Sequence, residues 1–191
     1  MISQSIDKHK EILGAALRLF AANGFHGTPT SKIAKEAGVA NGTLFHYFKT
    51  KEDLIVSLYA DIKTRMSAYI EANAPGHKTI KEKFRDQYVL VLQWSLQNGA
   101  EFQFLQQFTA SPYTSLLSPE EVKKQLKKTC GEIEEAIKAK AIKNRRPELI
   151  LTLFTSHTFG LHQYLVKTVL TGKEQEELIT ESFEMLWDML A

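Results

Sequence analysis

Apolar side chains in this chain recur three and four residues apart from one end to the other, and no stretch shows the apolar–polar alternation of a half-buried strand. That period confines the fold to packed helices. Over residues 6–23 it places Ile12, Leu13, Ala16, Leu17 and Phe20 on a first helix, and Asn23-Gly24 supplies a left-handed stop. In "GTPTSKIAKEAG", Thr28 is expected to cap a short second helix and Pro29 to fill its first position, with Ile33, Ala34 and Ala37 as its apolar face and Gly38 as its end. A third short helix is expected over residues 41–48. The next stripe, Leu54, Ile55, Leu58, Ile62, Met66 and Tyr69, predicts a fourth helix from about residue 51 to 72, followed by a Pro75-Gly76 break.

Beyond that break the period predicts helices over 81–97 and 101–110. A seventh is opened by a capping box of Ser118 and Glu121 around Pro119. An eighth starts at Pro147, reaches about residue 170 and is ended by Gly172, and a ninth covers 173–190. The expected fold is therefore all-α, with about nine helices. The expected division is a three-helix head at residues 1–50 and a helical body at residues 51–191.

Composition narrows the setting. A chain of 191 residues with 43% apolar and 24% charged side chains is long enough for a substantial core, or for a small module joined to a larger one. Cys130, the single cysteine, excludes an internal disulfide and a cysteine-rich metal site, so a reducing, cytoplasmic setting is expected. Asp7, Lys8, Lys10 and Glu11, with no apolar core after them, argue against a signal peptide. Two uncharged runs, 102–119 and 149–166, are interrupted by Pro112, glutamines and histidines; they are expected to be faces buried in protein, not membrane spans. Net charge is only +2, but through residue 51 the chain holds seven Lys/Arg against three Asp/Glu, a basic head on a mildly acidic body. That asymmetry fits a nucleic-acid-binding head.

The stretch "GVANGTLFHYFKTKEDL" carries the functional signal. Two short helices joined by a glycine-bearing turn form a helix-turn-helix, and Asn41-Gly42 is either a plain turn or the start of a reading helix. At about 100° per residue, Leu44 and Phe48 share the buried direction, while Gly42, Thr43 and His46 lie on the opposite arc. That arc is small, polar and free of carboxylates, as a helix pressed into the major groove requires. Tyr47 flanks it, with Lys49 and Lys51 after it.

Taken together, "TSKIAKEAGVANGTLFHYFKTKEDL", with Phe20 and Gly24-Phe25 upstream, resembles the N-terminal helix-turn-helix of TetR-family transcriptional regulators. The resemblance covers about residues 10–55 and implies a sequence-specific DNA-binding regulator. Carried onto this chain, it implies that Thr30 meets a phosphate and that Asn41, Gly42 and Thr43 open the recognition helix against bases and backbone. His46 and Tyr47 stand at positions that touch DNA, and Lys51 at a phosphate-contacting one. Two residues depart from the family pattern. Ala40 replaces a capping Ser or Thr, so Asn41 either caps the helix or reads a base, and Phe45 replaces a Tyr and loses its hydroxyl.

The last two helices are apolar on more than one face, so part of their surface is expected to meet a second chain. The resemblance implies a homodimer through a four-helix bundle, for which Phe159, Leu165, Phe183, Leu186 and Trp187 are the candidate interface residues. A two-fold dimer presents two heads to double-stranded DNA, hence a palindromic operator. Trp94, Phe104, Phe108, Phe154, His157 and Tyr164, interleaved with glutamines, fit either a monomer core or a pocket for a small apolar or amphipathic effector. No metal or cofactor is expected: His157 and His162 stand five apart with no carboxylate between them, and no phosphate loop or nucleophile motif is present. An enzyme is therefore not expected. The expected function is a repressor released by its effector, and the alternative is an activator or adaptor that uses the same head.

Overall fold

Most helix ends in the computed structural model fall where glycine, proline or a hydroxyl intervenes, and the seventh helix is closed instead by Lys140 at φ 55°. The backbone is described for residues 2–76 and 79–191, and the side chains for these except 2–7, 119–126 and 128. Among the described residues there are nine α-helices and no strand: α1 (Ile2–Asn23), α2 (Thr30–Glu36), α3 (Asn41–Tyr47), α4 (Lys51–Asn73), α5 (Ile80–Gln97), α6 (Gly99–Thr109), α7 (Pro119–Lys138), α8 (Pro147–Lys167) and α9 (Gly172–Leu190). A short 3-10 turn, Pro112–Leu116, follows α6 and lies inside the first uncharged run. No helix among the described residues is long and apolar enough to cross a membrane.

Two local expectations are corrected. Thr28 does not cap α2; Pro29 occupies the cap position and makes no side-chain bond. The Thr28 hydroxyl is fully buried and faces the carbonyls of Leu19 (3.1 Å) and Gly24 (2.8 Å). Its one proton serves the end of α1, where the Leu19 carbonyl also accepts from the Asn23 side-chain amide (3.1 Å). Gly172 does not end α8 either. That helix stops at Lys167, and Gly172 opens α9 behind a reciprocal capping box between Thr171 and Glu174. The box expected at Ser118 and Glu121 depends on a side chain outside the described residues.

The chain forms two compact units. The first joins residues 1–65 to 98–117 and the second joins 66–97 to 118–191. The first unit thus takes in the start of α4, and also α6, where the sequence division stood at residue 50. Three short helices bury little apolar surface by themselves. α6 adds Phe102, Phe104 and Phe108, all essentially inaccessible to solvent. Phe104 lies 5.4 Å from Phe25 and 6.2 Å from Phe20 between ring centroids, and Tyr59 stacks on Phe108 at 4.1 Å. Tyr113 from the 3-10 turn meets Phe25 edge-on. In the second unit, α5, α7, α8 and α9 close over a core that includes Phe84, Tyr88, Ile133, Ile150, Phe183 and Trp187.

Candidate nucleic-acid interface

α2 and α3 are joined by a turn that only a positive φ can make. Gly38 takes φ +65°, its amide donates to the Lys35 carbonyl (3.2 Å), and the Val39 amide reaches back to Ala34 (3.0 Å). Ala40 is then extended, and its carbonyl accepts the first bonds of α3, from Thr43 (2.9 Å) and Leu44 (3.2 Å). Ala40 is the cap and no side chain assists it. Asn41 is therefore the first helical residue, exposed, with its amide not spent on capping.

The two faces of α3 separate as the wheel requires. Leu44 is 0% and Phe48 3% exposed, which fixes the helix to its unit. Asn41, Gly42 and His46 are exposed and Thr43 half-buried, and nothing lies within 4 Å of a Cβ built on Gly42. Phe45 is 42% exposed, the only large apolar side chain presented to solvent between residues 8 and 65. Tyr47 is half-buried, with its ring edge-on to His46 at 5.6 Å and to His9 at 6.0 Å.

Thr30 is the first residue of α2 and half-buried. Lys51 opens α4, and its ammonium donates to the Phe25 carbonyl, tying α4 to the α1–α2 connection. An ammonium has three donors, so this tie leaves capacity for a phosphate. Arg18 and Glu36 pair at 3.2 Å between α1 and α2, both exposed. Sequence reasoning passed over His9, whose ring also lies 5.0 Å from Phe48. The signal was present: His9 continues the α1 stripe of Ile12, Leu13, Ala16 and Phe20 by one turn.

With this geometry in place, comparison with known proteins decides the family. Residues 12–58 match the tetR family of bacterial regulatory proteins. A fatty acid metabolism regulator protein of Bacillus subtilis (strain 168) is 44% identical over 82 residues, 43% of this chain and 42% of that one, so this likeness spans less than half of either. The HTH-type transcriptional regulator YhgD of the same organism is 31% identical over 157 residues, 76% of this chain and 77% of its own length. The chain belongs to the TetR family.

A crystal structure of a TetR family transcription regulator from Shewanella sp. PV-4 superimposes with a TM-score of 0.87 at 28% identity, covering 96% of this chain and 98% of that one. The TetR-family fold is all-α, and this member is a DNA-binding transcriptional regulator and not an enzyme.

The body residues are distributed as follows. Phe104 and Phe108 belong to the first unit, in the aromatic cluster with Phe20, Phe25 and Tyr59. Trp94, Phe154, His157 and Tyr164 belong to the second. Trp94 is buried there and Tyr164 exposed, while Phe154 and His157 both contact Tyr88. The Tyr88 hydroxyl lies 2.8 Å from His157 Nδ1 and 3.2 Å from Ser182 Oγ, and burial pushes its pKa up to about 12. Of the residues read as a dimer face, Leu165, Phe183, Leu186 and Trp187 are buried in the core of their own unit and Phe159 is half-buried.

Proposed function

We propose that this TetR-family chain is a cytoplasmic homodimeric repressor that binds a palindromic operator through α3 and is released by a small apolar or amphipathic effector. One observation carries the reading. The solvent face of α3 presents Asn41, Gly42, Thr43, Phe45 and His46 without a carboxylate, above a floor of Leu44 and Phe48 that holds the helix rigid. Asn, Thr and His reach base edges or phosphate oxygens, and the exposed Phe45 ring suits a thymine methyl. Thr30 and Lys51 stand at either end as phosphate contacts.

Apolar surface on the second unit supports the dimer. Leu149, Gly160 and Tyr164 along α8, and Met185 and Met189 along α9, are exposed and fall at helical spacing. Leu149, Leu153, Met189 and Leu190 line a cleft together with Lys143 and Arg145 where the start of α8 meets the end of α9. An acyl effector is favoured by the likeness to the fatty acid metabolism regulator protein of Bacillus subtilis and by the mix of aromatic and few polar groups around Tyr88 and His157.

Selection of bound duplexes from random DNA tests the operator and its symmetry together. Two inverted half-sites are expected, and their complex should dissociate when fatty acids or their coenzyme A thioesters of graded length are titrated in. Enrichment of no sequence would reject the DNA reading, and indifference to every acyl compound would reject the effector class.

A further inference from the structure

We infer that His9 is a positioning residue for DNA recognition: its imidazole ring holds the Tyr47 side chain in the orientation in which α3 presents it to DNA. The inference rests on the reading above that α3 enters the groove. Tyr47 is the last residue of α3, and Phe48 after it is already extended, at φ −129° and ψ 108°. Two imidazole rings meet the Tyr47 ring, one from α1 and one from its own turn. His9 meets Tyr47 edge-on, at 6.0 Å and 69°, and His46 meets it edge-on at 5.6 Å and 80°.

His46 is itself exposed, so it cannot fix its neighbour unaided. His9 can, because it is fixed twice over. Its ring rests on Phe48, 5.0 Å away and tilted by 35°, and Phe48 is 3% exposed and immobilised by the core. Its backbone belongs to the 22-residue α1, anchored by the buried Ile12, Leu13, Ala16 and Phe20. Edge-to-face packing of this kind orders Tyr47 before DNA arrives, so its rotamer freedom is not lost on binding.

The distinguishing property is that the ring, and not a charge, does this. Kd is to be measured for full-length protein on a duplex selected by the wild type and on a scrambled duplex of equal length, over a series of KCl concentrations. His9→Ala is expected to weaken the selected duplex by about three- to tenfold, the range one or two aromatic edge contacts supply. Neither the scrambled duplex nor the salt slope should change. His9→Phe should restore wild-type affinity, whereas His9→Leu, which keeps apolar bulk in the α1 stripe, should melt like wild type and still bind like His9→Ala. Combined with Tyr47→Ala, His9→Ala should add no further loss.

Wild-type affinity in His9→Ala would overturn the inference. So would equal losses on both duplexes, or a His9→Phe variant that fails like His9→Ala with a salt slope lower by about one charge, which marks a direct phosphate contact. A wild-type protein that enriches no sequence would instead overturn the underlying DNA reading.

Discussion

Gly27 and Gly42 lie fifteen residues apart in the head, and alanine at each position separates folding from binding. A Cβ on Gly27 would stand 2.4 Å from the Asn23 carbonyl oxygen, a backbone atom that moves only if the end of α1 moves. Gly27→Ala is expected to cost about 1–3 kcal/mol, read as a lower melting temperature. At Gly42 a Cβ meets nothing within 4 Å. Gly42→Ala should therefore raise stability, by roughly 0.5–1 kcal/mol from helix propensity, while weakening operator binding because the methyl occupies the approach to the phosphates. A Gly42→Ala protein that binds DNA as tightly as wild type would remove the close approach from the account. Thr28 shows why residue roles are harder to read than residue types. A threonine before a proline reads as a cap, yet its hydroxyl lies nearer the carbonyls of Leu19 and Gly24, and sequence spacing does not reveal that tertiary proximity.

At the scale of elements, periodicity and punctuation made most helices legible, and α4 ends at Asn73 within a residue of its expected end. What escaped were ends decided by competition. Thr171 and Glu174 start α9 on Gly172, and Ser111 closes its side chain onto the Phe108 carbonyl (2.7 Å) ahead of a 3-10 turn that no apolar period announces. The seam between α5 and α8 was legible only as a mixture of aromatics and histidines. In the structure it is held by Tyr88 with His157 and by Ser95 with His162. Ser95 Oγ lies 2.7 Å from the Leu92 carbonyl and 2.8 Å from His162 Nδ1, and its single proton serves one of the two. Burial lowers the pKa of both histidines below the ordinary imidazole value of 6.5. The unfolded chain then binds protons that the folded seam refuses, so the stabilisation is complete above 6.5 and is lost as pH falls through 6.5 toward the lowered folded values. Melting temperature should drop over that acidic window, and His162→Gln should flatten the drop. Identical pH profiles for wild type, His157→Gln and His162→Gln would show that other groups govern acid sensitivity.

For the whole molecule, the open matter is which apolar residues serve the chain's own core and which a second copy. The sequence marks α8 and α9 as too apolar for a single buried stripe, but inward and outward stripes obey the same period, so spacing cannot sort them. Burial does: Leu165, Phe183, Leu186 and Trp187 lie inward, while Leu149, Tyr164, Met185 and Met189 are left to solvent. The two groups therefore predict opposite mutant behaviour. Trp187→Ala removes a core ring and is expected to cost about 3–5 kcal/mol of stability in the unit that holds it. Met185 is 66% exposed, so Met185→Arg should leave the melting of an isolated chain nearly unchanged. In a two-fold interface, however, the substitution enters twice, bringing two unpaired charges into a surface that association would dry. Light scattering should then report a monomer for the variant and a dimer for wild type if the proposed interface holds. Operator affinity should fall by about a hundredfold or more, because each head would bind its half-site without a tethered partner. Half-site affinity should survive, since α3 lies in the other compact unit and is not altered. A Met185→Arg protein that remains dimeric with full operator affinity would move the interface off this face of α8 and α9.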